Sequence, residues 1–116
     1  MTRILKNVTV KESPKWLKER IEAVGLRSIN NIVDVSNFIL MEMNHPNHVF
    51  DLDKIEGNEI KVKSAVKGDK LVTLDDQERE LEDGDIVICD SKKILALGGV
   101  MGGLDSEVTD NTKNIL

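Results

Sequence analysis

Apolar residues recur every second position in several short stretches and every third or fourth in two longer ones, so strands and helices are both predicted. Thr2 to Val10 alternates around Ile4, Val8 and Val10 and reads as a strand. Ser13-Pro14 then starts a helix, with serine as N-cap and proline in the first turn, where its missing N–H costs nothing. Leu17, Ile21 and Val24 carry its apolar stripe, Trp16 and Arg20 flank that stripe, and Gly25 is the natural stop. Ser28-Ile29-Asn30-Asn31 predicts a turn and a second cap. From Ile32 to Met43 follows a very apolar helix, expected to be buried on more than one side, with Asp34, Ser36 and Asn37 as its polar exceptions.

Pro46 ends that helix, because the residue before a proline is biased away from helical geometry. Phe50 to Ile55 predicts one helical turn, closed by Gly57. The remainder reads as strands: Glu59 to Ala65, Leu71 to Leu74, Glu78 to Leu81, Ile86 to Cys89 and Ile94 to Leu97, with tight turns at Asp75-Asp76 and Ser91-Lys92-Lys93. Helices followed by strands indicate an α+β fold rather than an alternating one. Four glycines then fall within Gly98-Gly99-Val100-Met101-Gly102-Gly103, in a spacing that fits neither dinucleotide nor P-loop fingerprints. Such a cluster serves a tightly turned strand end against another backbone, or a ligand that touches exposed backbone. Leu104 to Leu116 is polar, has few apolar anchors, and reads as an incomplete element.

Composition narrows the class. The 116 residues make one small domain or a piece of one, and no apolar run approaches the roughly 18 residues a membrane span needs. A lone cysteine, Cys89, sits in an apolar run and is expected to be a buried packing residue; cysteine usage suits a reducing cytosol. Net charge is −5 with both signs interspersed, so no basic run predicts strong nucleic-acid binding, and two Phe with one Trp give no aromatic platform for a single strand.

No hydrolytic triad is visible, since none of the serines lies in a G-x-S-x-G elbow. His45 and His48 alone do not make a zinc site, and no metal is expected. What remains is Ser36 and Asn37 on an apolar helix, His48 after its end, and the glycine loop. Each also has a structural account: Asn37 satisfying loop backbone, Ser36 bonding the preceding turn, His48 capping a helix. The residues by themselves stop at a small α+β domain with a pocket-forming set of polar groups.

Two long stretches add a resemblance. Arg27-Ser28-Ile29-Asn30-Asn31-Ile32-Val33-Asp34-Val35-Ser36-Asn37-Phe38, continuing to Pro46-Asn47-His48-Val49-Phe50-Asp51-Leu52-Asp53-Lys54-Ile55, resembles the signature of the B3/B4 domain of the phenylalanyl-tRNA synthetase β subunit. Leu95 to Gly103, with Ser106-Glu107-Val108-Thr109, is similar to that family's L-A-L-A-G-V-M-G-G…S-E-V-T, and Ser13-Pro14-Lys15-Trp16-Leu17 fits its S-P-x-W-L helix. The similarity covers nearly the whole chain, which then reads as a single partial domain, residues 1–116, of the editing module.

The resemblance implies an antiparallel β-barrel or sandwich flanked by helices, and a proofreading site that hydrolyses mischarged Tyr-tRNA(Phe) in the manner of a second sieve. The pocket residues it implies are Ser36, Asn37, His48, Gly98 and Gly99, with His48 and Asn37 orienting the attacking water or polarising the carbonyl. It also implies an acidic residue that recognises the tyrosine hydroxyl a little beyond the position of Leu116, leaving a pocket short of one wall and little activity expected of these residues alone. Implied partners are the 3′ end of tRNA(Phe), tyrosine or phenylalanine, and a synthetase α subunit, in the cytoplasm, with no membrane or DNA. No cofactor is implied for this domain; ATP and Mg2+ belong to the full synthetase. Departures fall at Ser36 (Thr in the family), Phe38, Asn44, His45, Asn47 and Gly98, the last an Ala in the family and so a slight enlargement of the pocket. Two other readings follow from the same resemblance: a structural module whose editing has decayed, or a free-standing deacylase relative.

Overall fold

The computed structural model of the chain describes residues 1–116. In order it contains β1 (Leu5–Lys6), α1 (Lys15–Ala23), α2 (Asn31–Met43), β2 (Lys61–Ser64), β3 (Lys70–Val72), β4 (Glu78–Glu80), β5 (Ile86–Cys89), β6 (Ile94–Leu97), β7 (Met101–Gly102) and β8 (Asn114–Ile115). Short 3-10 turns stand at Leu52–Lys54, Glu56–Asn58 and Leu104–Ser106. The chain divides into two compact units, Met1–Asp51 with Val108–Leu116, and Leu52–Glu107. The class is α+β with antiparallel strands, as expected, but the sheets stay open and do not close into a barrel.

In the first unit, the strand expected from Thr2 to Val10 shrinks to two residues. Leu5 pairs with Ile115 and Lys6 with Asn114, and then Asn7 turns left-handed (φ 59°) and interrupts the register, leaving one further bond from the Val8 N–H to the Lys113 carbonyl at 2.9 Å. The following segment is held instead by Asn31. Its backbone N–H donates to the Lys11 carbonyl at 2.8 Å, its side-chain Nδ2 donates to the Thr9 carbonyl at 3.0 Å, and its Oδ1 accepts from the Lys11 N–H at 3.0 Å. Val10, Val108 and Ile115 form a small core, with Val8, Ile32 and Val49 packed against it. The C-terminal residue is also engaged: Leu116 and Phe50 exchange both backbone hydrogen bonds at 3.0 Å.

Helix α1 buries Leu17 and Ile21, as its stripe predicts, and ends before Gly25, whose φ of +83° no other residue adopts cheaply. Its start differs from expectation. Pro14 occupies the cap position and no side chain caps the helix; the Ser13 hydroxyl donates instead to Asp34, at 2.5 Å. Helix α2 is capped as predicted, the Asn30 side chain accepting from the N–H groups of Ile32 and Val33 at 3.1 and 2.9 Å. Asn44, in the left-handed region at φ 49°, terminates it.

The expectation that α2 is buried on several sides is overturned. Asp34 is its one buried residue, and Val35, Met41 and Met43 are exposed. Its packing is confined to α1, where Trp16 meets Phe38 edge-on at 5.8 Å and Arg20 stacks on both rings, and to the small core that Ile32 joins. Its apolar composition did not carry the information of what else would cover it.

In the second unit a four-stranded antiparallel sheet runs in the order β2-β5-β6-β7, and β3 and β4 form a separate hairpin. The hairpin packs on the sheet in a sandwich-like way: Thr73 bridges to Gly103, and the Leu74 N–H donates to the Gly102 carbonyl at 3.1 Å. Val87 and Cys89 point from β5 into a core shared with Ala65 and Leu81, and Ile94 and Leu97 pack against it. Cys89 is therefore the packing residue its context predicts, and burial pushes its thiol pKa up, away from a reactive thiolate. No helix is long and apolar enough to cross a membrane.

Candidate functional site

The residues singled out from the sequence fall in both units. Ser36, Asn37 and His48 lie in the first, Gly98 and Gly99 in the second.

In the first unit, Asn47 organises the group. The Ser36 hydroxyl, half-buried on α2, donates to Asn47 Oδ1 at 2.6 Å. Asn47 Nδ2 returns to the Ser36 carbonyl at 3.2 Å and also donates to the His45 carbonyl at 3.1 Å. One side chain thus ties the exit loop back onto the helix and fixes the peptide next to His48. From the sequence Asn47 is only a departure from the family; an amide following a helix-ending proline is the signal that could have pointed to it. Ser36 does not bond to the preceding turn, because Asn47 claims its proton. Asn37, next along α2, is half-buried.

His48 packs edge-on against the buried Phe50, ring centres 4.6 Å apart, and keeps another edge open to solvent. Desolvation by the surrounding atoms pushes its imidazole pKa below the ordinary 6.5, so the ring is neutral at pH 7 and free to accept a proton. The folded state therefore holds this proton less tightly than the unfolded chain. The contribution to stability is complete above about pH 6.5 and is lost as pH falls through the folded value. Between about pH 7 and about pH 5, wild type is expected to lose more stability than His48→Gln, read as the urea midpoint of Trp16 fluorescence. Equal losses in the two proteins would remove the desolvation argument. No group of three or more His, Cys, Asp or Glu side chains comes together to hold a metal ion.

In the second unit the glycine segment resolves into separate roles. Gly98 and Gly99 form the β6–β7 turn, closed by the Val100 N–H donating to the Leu97 carbonyl at 3.1 Å, with Gly99 at φ +73°. That positive φ at the third turn position is what a type II turn requires of glycine. A Cβ on Gly98 would lie 3.0 Å from Ile86 Cγ2 and 3.1 Å from the Ile86 carbonyl. The room the missing methyl was expected to add is thus occupied by Ile86. Around Gly99 the space is open, with nothing within 4 Å of where a Cβ would stand. Gly103 lies against the backbone of β6. Of the four glycines, Gly99 presents uncovered backbone that a ligand can reach.

Across residues 1–116 the chain matches the family described as the B3/4 domain. The chain belongs to the B3/4 domain family. Its relatives include three described as phenylalanine–tRNA ligase beta subunit. That of Fusobacterium nucleatum is 51% identical over 115 residues, that of Thermotoga maritima 47% over 114, and that of Protochlamydia amoebophila 54% over 114. These alignments cover 98–99% of this chain and 14% of each relative, so the B3/4 chain spans about a seventh of the length of the curated relatives it matches. The match runs through both units, including α2, the Asn47 loop and the glycine turn.

Proposed function

We propose that this chain is part of the proofreading module of a phenylalanine–tRNA ligase β subunit, the module that hydrolyses the ester of Tyr-tRNA(Phe) in the full ligase. The observation that carries the reading is the Ser36–Asn47 clamp, which ties the loop leading to His48 onto the helix that carries Ser36 and Asn37, in a chain matched to this family from end to end. In this reading the substrate-binding residues are Ser36, Asn37, His48, Gly98 and Gly99.

The chemistry is attack of water on the carbonyl of the aminoacyl ester. The carbon–oxygen bond to the ribose breaks, and tyrosine and a free ribose hydroxyl leave. His48, neutral at pH 7, accepts a hydrogen bond from the water and orients it. The Asn37 amide donates to the carbonyl oxygen as negative charge develops there. Ser36 has spent its proton on Asn47, so its hydroxyl presents lone pairs and serves as an acceptor. A pocket whose polar groups pair with the phenol of tyrosine leaves them unpaired when phenylalanine is bound, and that difference separates the two amino acids.

Partners in this reading are the 3′ end of tRNA(Phe) and a ligase α subunit, and the compartment is the cytoplasm. ATP and Mg2+ serve the charging reaction elsewhere in the ligase, and the hydrolysis asks neither of this chain. The test is deacylation of Tyr-tRNA(Phe) by the full ligase carrying His48→Ala or Gly99→Trp. Each is expected to lower the rate by about a hundredfold. Wild-type rates in both would show a structural module, and the reading would fail. Asn47→Leu removes both ties to Ser36 and is expected to slow deacylation by about tenfold while charging with phenylalanine is unchanged.

A further inference from the structure

The second unit holds a charged cavity that the hydrolytic reading does not use. Its volume is about 270 Å³, and Lys61, Lys63, Lys92 and Lys93 line it together with Asp69 and Asp90. Lysines 61 and 63 are alternate residues of β2, the edge strand, and so project on one face; the other pair stands on the β5–β6 turn. Antiparallel pairing of β2 with β5, Lys61 opposite Cys89, brings the two pairs together from positions thirty residues apart in the chain.

The two carboxylates of the lining face inward to the backbone rather than to a ligand. Asp90 is buried, and burial alone would raise its pKa. The N–H groups of Glu56, Lys92 and Lys93, at 2.9, 2.7 and 2.8 Å, outweigh that and hold the carboxyl below its usual range. This fixes the turn that carries both lysines. Asp69 likewise accepts the Val66 N–H at 3.1 Å. Lys61 and Lys92 form exposed ion pairs with Glu59 and Glu56 at 2.9 and 3.3 Å, which solvent weakens, whereas Lys63 and Lys93 form none.

Lysines on an edge strand also deter edge-to-edge pairing. That accounts for Lys61 and Lys63 but not for a second pair on an Asp-locked turn at the same cavity. The space is at or below the lower end of the roughly 300–1,000 Å³ of small-molecule pockets, and charged side chains predominate among its lining residues. It suits an anionic group presented by a larger molecule. Strand β6 starts at this cavity with Ile94 and leads to Gly98, a run of about 13 Å.

We propose that this lysine cavity binds phosphate groups of the RNA strand whose terminal ester is the substrate, with Lys63 and Lys93 as the main contacts. The proposal rests on the hydrolytic reading for the identity of the RNA, but it is tested without hydrolysis. The probe is a non-aminoacylated single-stranded RNA of about twelve nucleotides, followed by fluorescence anisotropy in low salt. The net charge of −5 repels RNA overall, so affinity is modest and local.

Lys63→Glu/Lys93→Glu is expected to weaken binding at least about tenfold and to lower the salt slope by about 1.4, at about 0.7 per lost phosphate contact. The neutral pair Lys63→Gln/Lys93→Gln should fall between this variant and wild type, and it guards against a folding defect. A control of equal charge change, Lys11→Glu/Lys15→Glu, should alter binding less than about twofold. Equal loss in the control, or absent binding by wild type, overturns the proposal. So does a polyglutamate peptide that binds as tightly, which would indicate a protein partner, or inorganic phosphate that binds as tightly as RNA, which would indicate a free anion. Deacylation by His48→Ala and RNA binding by Lys63→Glu/Lys93→Glu are separate readouts, so failure of the hydrolytic reading and failure of this proposal give different results.

Discussion

Replacing Asp34 by alanine is expected to destabilise the first unit by about 3 kcal/mol, more than any other polar substitution on α2. Asp34 is fully buried, and its carboxylate accepts three hydrogen bonds: from the Ser13 hydroxyl at 2.5 Å, the Ser28 hydroxyl at 2.6 Å and the Ile29 N–H at 2.9 Å. Through them one side chain ties the entry to α1, the 28–29 turn and the first turn of α2. Hydrogen bonds to a charged group contribute about 1.5–3 kcal/mol each, and the cost of keeping a carboxylate from water offsets a large part of that sum. Alanine also leaves the Ser13 hydroxyl buried without its acceptor. Because Trp16 lies on α1, its fluorescence reports on this unit, and the urea midpoint is expected to fall by about 2 M. Asp34→Asn keeps the shape, and its amide can donate to one serine while losing the acceptor for another, so about half the effect is expected. An alanine variant within about 0.5 kcal/mol of wild type would show that the three contacts are idle.

That cluster also marks where the sequence could be read and where it could not. The cap at Asn30 and the strands β5 and β6 were legible because their signals are local: an asparagine before an apolar run, and four-residue apolar stretches bounded by polar turns. Ser13 was misread as a cap because helix-start rules weigh only the next few residues, while a buried carboxylate 21 positions away made the stronger claim on its proton. The long first strand failed for a similar reason. Alternation predicts which way side chains point, but Asn7 ends the pairing, and the partner strand supplies only two residues. The polar trio Ser36, Asn37 and His48 stands out in the sequence as polar groups on and just after an apolar helix, and the resemblance supplies their roles; the part Asn47 plays in holding Ser36 comes from neither. The lysine cavity was hidden because it is no run at all: strand pairing joins two short pairs of lysines that a net acidic composition masks.

The second large effect falls on the glycine segment, and it is steric rather than conformational. Gly103 has φ −83°, which any residue adopts, yet a Cβ there would stand 2.6 Å from the Leu95 carbonyl oxygen and 2.8 Å from Leu71 Cδ1. The Leu71 methyl can turn away, but the Leu95 oxygen is backbone, and it already accepts the Gly103 N–H at 2.7 Å. Relief requires β6 and the Gly103 segment to separate, which strains that hydrogen bond and the Thr73–Gly103 bridge of the hairpin. Gly103→Ala is therefore expected to cost about 3 kcal/mol, the upper part of the overpacking range. Along the same segment the cost should fall in a definite order. Gly98→Ala meets Ile86 at 3.0–3.1 Å and is expected to cost about 1–2 kcal/mol. Gly99→Ala meets nothing and bears only its positive φ, about 1 kcal/mol. No tryptophan reports on this unit, so the measurement is amide exchange at Leu95, Ala96 and Leu97, whose protection should drop in the order Gly103→Ala, Gly98→Ala, Gly99→Ala. If Gly99→Ala proved the most damaging of the three, conformation rather than contact would govern the segment. If Gly103→Ala left β6 protected, the close approach of the two backbones would not be what keeps glycine there.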